Sequence, residues 1–144
     1  VSTVGLLAGV AAANASRATI VTTGLVLIVV EGFSMGIGSF LTEETAEEMA
    51  GEATQDWLAV KGGLIMLISY IAAGLIPLSP YFFLDTTVSM PVSIFCSLLG
   101  LFSLGLGTSL YFHRPTPWRR AIKTMILGGL AVAIGVGVGK VFHL

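Results

Sequence analysis

Residues 19–41, TIVTTGLVLIVVEGFSMGIGSFL, form one apolar run with a single ionisable side chain, Glu31. A helix needs roughly 20 apolar residues to cross a hydrocarbon core of about 30 Å, and this run is long enough to do so. The rest of the chain reads the same way. Of its 144 residues 55% are hydrophobic and 10% charged, and the mean hydropathy is +0.95. A soluble domain of this size keeps most of its residues in touch with water and has no core large enough to hide so much apolar surface. The sequence therefore predicts an all-α membrane protein, one transmembrane domain over residues 1–144 with very short connections.

Working outward, the spans fall at about 1–13, 19–41, 58–78, 88–111 and 121–142, with a short acidic helix at about 42–56 that continues from the second towards the third. The first is too short to cross a bilayer. Because the chain begins at Val1 and shows no basic n-region before a small-residue cleavage site, this stretch is expected to be the back half of an N-terminally truncated span. Pro77 and Pro80, beside Tyr81, Phe82 and Phe83, are expected to mark the end of span three. His113 to Arg120 reads as a basic, proline-broken connection, and Asp85 as a cap before span four. Lys61, Arg114, Arg119, Arg120 and Lys123 share one side of a five-span bundle, against Arg17 and Lys140 on the other. Basic residues concentrate on the cytoplasmic side, so the N-terminus and the acidic stretch are expected there and the C-terminus outside or in a lumen.

Small residues recur at four-residue spacing in Gly5 and Gly9, in Gly32 and Gly36, and in Gly135 and Gly139. On a helix each pair lies on one face and lets another backbone approach, although glycine is also simply common in membrane helices.

Glu31 is the residue most informative about function. A carboxyl within a span costs a few kcal/mol on insertion scales, so such groups face a bundle interior and mark an ion or proton path, or bond a neighbouring helix. Met35, four residues on, shares its helix face. A carboxylate with a thioether suits a borderline divalent transition metal better than Mg²⁺ or Ca²⁺, which take all-oxygen shells. A carboxylate that titrates in a low-dielectric site also gives a route for trading a proton against the metal.

Most of the eight acidic residues gather just beyond, as Glu43, Glu44, Glu47, Glu48, Glu52 and Asp56. Glu44, Glu48 and Glu52 form one i, i+4 row, and Glu43 and Glu47 another, with Met49 close by. Like charges at this spacing repel. The stretch is either a solvated face at a membrane exit or a vestibule that gathers divalent cations for Glu31.

Other features carry less. Cys96 has no mate, His113 and His143 lie far apart, and Asn14-Ala15-Ser16 matches a glycosylation acceptor of a kind frequent by chance. No basic patch carries interleaved aromatics, so nucleic acid is not an expected partner. There is no nucleophile elbow, phosphate loop, HExxH or paired cysteines, and neither an enzyme nor a prosthetic group is expected.

Several of these segments in combination resemble the vacuolar iron transporter (VIT) family, in a short form like its prokaryotic or nodulin-21-like members. Residues 1–9 (VSTVGLLAG) look like the family's first span. Residues 31–41 (EGFSMGIGSFL) look like its Ser-Met-Gly-x-Gly segment in span two, residues 73–81 (AGLIPLSPY) like the end of span three, and residues 128–133 (GGLAVA) like span five. The resemblance implies a five-span homodimer that exports Fe²⁺, and often Mn²⁺, from the cytosol against protons, along a path between protomers lined by spans one and two. The membrane concerned would be a bacterial plasma membrane or a vacuolar-type one. By carry-over Met35 matches the family's span-two methionine ligand, and Glu31 supplies a span-two acid at a register the family does not always use. Two departures stand out. The family's Asp-Gly pair would fall before Val1. Its plant members also place a Glu- and Met-rich cytoplasmic metal-binding domain between spans two and three, where this chain has only residues 42–56, so Glu43, Glu44, Glu47, Glu48, Met49 and Glu52 are all that can stand in for it. Besides an antiporter, the residues leave open a passive divalent-cation channel, and a membrane scaffold or metal sensor that acts through its acidic helix.

Overall fold

A computed structural model describes residues 1–50, 56–111 and 117–141. Within them all regular structure is helical: α1 (Ser2–Ala12), α2 (Arg17–Ala50), α3 (Asp56–Phe83), α4 (Thr86–Tyr111) and α5 (Pro117–Val141). At about 1.5 Å per residue, α1 reaches only about half-way through a hydrocarbon core of about 30 Å, whereas the other four exceed it. Those four are long and apolar enough to cross a membrane. The chain buries only 11 to 28% of their most apolar windows, so lipid or another protein must cover the remainder. A chain built in this way is a multi-pass membrane protein.

The helix ends follow from local chemistry. α1 closes in a Schellman motif: Asn14 takes a left-handed conformation at φ 54°, Asn14 N donates to Ala11 O at 3.1 Å, and Ala15 N donates to Val10 O at 3.3 Å. Two residues later Ser16 caps α2, its hydroxyl accepting the Thr19 N–H at 3.2 Å. The Asn14-Ala15-Ser16 tripeptide thus forms the turn between two helices. At the start of α4 the Asp85 carbonyl accepts the N–H groups of Val88 and Ser89, at 3.0 and 2.8 Å.

Two boundaries differ from the sequence expectation. α3 runs through Pro77 and Pro80 to Phe83. Proline deprives the carbonyl four residues back of its N–H partner, and membrane helices tolerate this when another donor takes over. For Pro80 that carbonyl is Ile76 O, and the Ser79 hydroxyl donates to it at 2.9 Å. From α4 the Ser93 hydroxyl donates to Pro77 O at 2.5 Å, fastening the same stretch. Secondly, residues 117–120 open α5 rather than belonging to a connection, with Pro117 in the first helical position, where its missing N–H costs nothing. Up to residue 50 the acidic stretch prolongs span two, as its spacing predicts. α2 continues unbroken to Ala50, and the hydroxyls of Thr42 and Thr45 donate back to Gly38 O and Leu41 O at 2.7 and 2.8 Å. Glu52, His113, Arg114 and His143 lie outside the described residues.

The chain forms two compact units. One comprises Val1–Gly24 and Ile76–Leu144. Here α1 packs along α5, with Val4, Ala8 and Val132 at the core and Met90, Ile94 and Val136 around them. A Cβ on Gly5 would lie 2.8 Å from Ala131 O, and one on Gly9 would lie 2.6 Å from Gly135 O. In return, Cβ atoms on Gly135 and Gly139 would collide with the carbonyls of Gly5 and Gly9. The two backbones touch, run parallel, and leave no room for a methyl group. At the other end of α1, Arg17 is extended along the last turn of α3, its Nε donating to Tyr81 O at 2.7 Å and its terminal nitrogen to Phe82 O. A cation on the orphan carbonyls of a helix C-terminus is favourable on both hydrogen-bonding and dipole grounds.

Candidate functional site: the α2–α3 seam

The second unit, Leu25–Leu75, is an antiparallel pair formed by most of α2 and α3. Glycines set its spacing. A Cβ on Gly36 would lie 3.0 Å from Gly63 O, and one on Gly63 would lie 2.8 Å from Gly36 O. Gly32 lies against Leu67, Tyr70 and Ile71, Gly74 against Ile28, and Gly62 against the Glu43 carboxylate. Such close approach replaces the hydrophobic drive that lipid removes with van der Waals contact.

Glu31 is half-buried beside this seam, and the Tyr70 hydroxyl of α3 donates to its carboxylate. The bond fixes one carboxylate oxygen and satisfies a polar group that hydrocarbon would otherwise penalise. One turn further, Met35 enters an open groove of about 820 Å³ that follows α2 from Met35 through Ser39, Thr42, Glu43 and Glu47 to Ala50. α3 contributes Met66. On the other flank of the seam a smaller groove, lined by Phe33, Ile37, Phe40 and Leu64 among others, is apolar. The two flanks therefore offer different surroundings to an ion.

The structure divides the expected site residues. Met35, Glu43 and Glu47 line the groove, whereas Glu31, although on the neighbouring turn, is held by Tyr70. Glu44 and Glu48 belong to the second acidic row and are not among the groove's lining residues, and Met49 is 83% exposed. Gly32 and Gly36 pack on α3, and Gly5 and Gly9 on α5. Tyr70 and Met66 were not singled out in the sequence. Their signal was present in α3 as Gly63, Met66, Tyr70 and Gly74, a stripe at helical spacing that faces α2. Among the described residues no three His, Cys, Asp or Glu side chains come together to hold a metal ion.

Comparison with known proteins agrees with this architecture. A family model described as the VIT family matches residues 1–57 and 44–140, nearly the whole chain. The chain belongs to the VIT family. Curated relatives include vacuolar iron transporter 1 of Eucalyptus grandis, 24% identical over 196 residues that cover 94% of this chain and 78% of the relative. Vacuolar iron transporter 1 of Oryza sativa subsp. japonica is 30% identical over 113 residues, covering 78% of this chain and 44% of the relative. The vacuolar iron transporter of Centaurea cyanus is 26% identical over 200 residues, covering 94% and 80%. No solved structure matches the chain. Alignments of 196 and 200 positions on a 144-residue chain mean that these VIT relatives carry residues with no counterpart here. The two stretches matched to the VIT family overlap at residues 44–57.

Proposed function

We propose that this VIT-family chain is a homodimeric divalent-metal transporter that exports Fe²⁺, with Mn²⁺ as a second substrate, from the cytoplasm in exchange for protons. What carries the reading is family membership, with Met35 of the Ser-Met-Gly-x-Gly segment lining a groove that also holds carboxylates. In it the acidic exit of α2 faces the cytoplasm, Glu43 and Glu47 concentrate cations, and Glu31 with Met35 takes the ion into the membrane. One carboxylate and one thioether do not fill the coordination shell of a first-row divalent ion, which takes four to six ligands. A second copy of the chain supplies the missing donors by symmetry. A carboxylate that binds either a proton or a metal is the minimal device for exchange, because the two occupants compete for the same oxygen lone pairs.

The test is uptake into proteoliposomes under an imposed pH gradient. Parent protein is expected to accumulate Fe²⁺ and to lose most of that activity as Glu31→Gln or Met35→Ala. If both variants transport as well as the parent, the membrane site lies elsewhere. Flux indifferent to the proton gradient identifies a channel, and no flux at all, with activity lost only on neutralising Glu43 to Glu48, identifies a scaffold or sensor.

A further inference from the structure

A methionine on an apolar helix is ordinarily packing or lipid contact, and from sequence Met66 is unremarkable among Leu64, Ile65, Leu67 and Ile68. Its surroundings differ from that reading. Met66 is 38% exposed and lines the larger groove from the α3 side, bordering the same space as Met35, Ser39, Thr42, Glu43 and Glu47. Two methionines from two helices therefore border one groove whose polar side chains, Ser39, Thr42, Glu43 and Glu47, all offer oxygen. Oxygen alone favours hard cations such as Mg²⁺, Ca²⁺ and Mn²⁺, whereas thioether sulfur adds affinity only for softer ions. Sulfur on one wall is a single weak contact that a mobile side chain can withdraw. Sulfur on both walls lets one ion meet a thioether whichever wall it approaches.

We propose that Met66 is a selectivity residue of this groove, setting with Met35 a preference for borderline and soft divalent cations over hard ones. The proposal deepens the transport reading and rests on it. Glu43 and Glu47 attract any divalent cation, and the paired thioethers sort among those attracted. Leucine has nearly the volume of methionine and no donor atom, so Met66→Leu removes the sulfur with little change in packing.

The experiment presents Cd²⁺ and Mn²⁺ together, as soft and hard probes, to proteoliposomes carrying the full chain, and reads the ratio of initial uptake rates. Equilibrium binding of the same two ions to the purified protein in detergent is measured in parallel. Met66→Leu is expected to lower the Cd²⁺/Mn²⁺ ratio about tenfold, the lower end of what loss of a supporting group costs a metal site. Met125→Leu, an equally exposed methionine on α5, is expected to leave the ratio unchanged. An unchanged ratio in Met66→Leu, in flux and in binding, overturns the proposal, as does an equal fall in Met125→Leu. A parent that transports neither ion defeats the transport reading, and the binding ratio then still decides whether Met66 selects.

Discussion

The Tyr70 hydroxyl donates to the Glu31 carboxyl group and so joins α2 to α3 through a bond that depends on a single oxygen atom. Tyr70→Phe keeps the ring and deletes that oxygen. It should cost about 0.5–1.5 kcal/mol of stability, read by denaturant unfolding in detergent. It should also raise the Fe²⁺ concentration at half-maximal uptake, because the carboxylate is no longer held in one orientation. Unchanged values for both would mean that the bond does not position Glu31. Glu31 was legible in the sequence because a charge in an apolar run is costly and therefore conspicuous. Tyr70 and Met66 were not, because an aromatic and a thioether are ordinary in a membrane helix and only the partner across the seam gives them meaning. The sequence also placed both acidic rows on one footing, whereas the twist of α2 brings Glu43 and Glu47 into the groove and leaves Glu44 and Glu48 off its lining.

Among the elements, α1 and α5 are together the most sensitive to added volume, since the glycines of each meet backbone carbonyls of the other that cannot rotate away as side chains do. Gly9→Ala should destabilise the α1–α5 pair by about 1–3 kcal/mol, as overpacking does elsewhere. Ser79→Ala, which returns Ile76 O to an orphan state, should cost about 0.6 kcal/mol, the average for a membrane side-chain hydrogen bond. Thermal unfolding in detergent should therefore rank Gly9→Ala well below Ser79→Ala, and the reverse order would contradict the packing described for α1. Hydropathy located every helix among the described residues, because bilayer thickness sets a length that composition reveals. It misplaced the end of α3, where Pro77 and Pro80 read as terminators although Ser79 and Ser93 keep their turns fastened. It also misplaced the start of α5, where Pro117 is a helix opener.

For the molecule as a whole, four long apolar helices whose own chain covers little of them require a bilayer, and VIT-family membership agrees. That much was legible from composition and from the Ser34 to Gly38 segment. A direction of transport and an exchange with protons are expectations from the resemblance alone, since no residue of one chain encodes a coupling between two ions. The central claim is that one carboxylate-bearing path moves metal and proton in opposite senses. Simultaneous recording of Fe²⁺ entry and H⁺ exit from proteoliposomes tests this most directly. Parent protein should show proton efflux that starts with metal addition and scales with metal influx, and Glu31→Gln should lose both together. Metal influx without proton movement, or coupled fluxes that persist in Glu31→Gln, would contradict it.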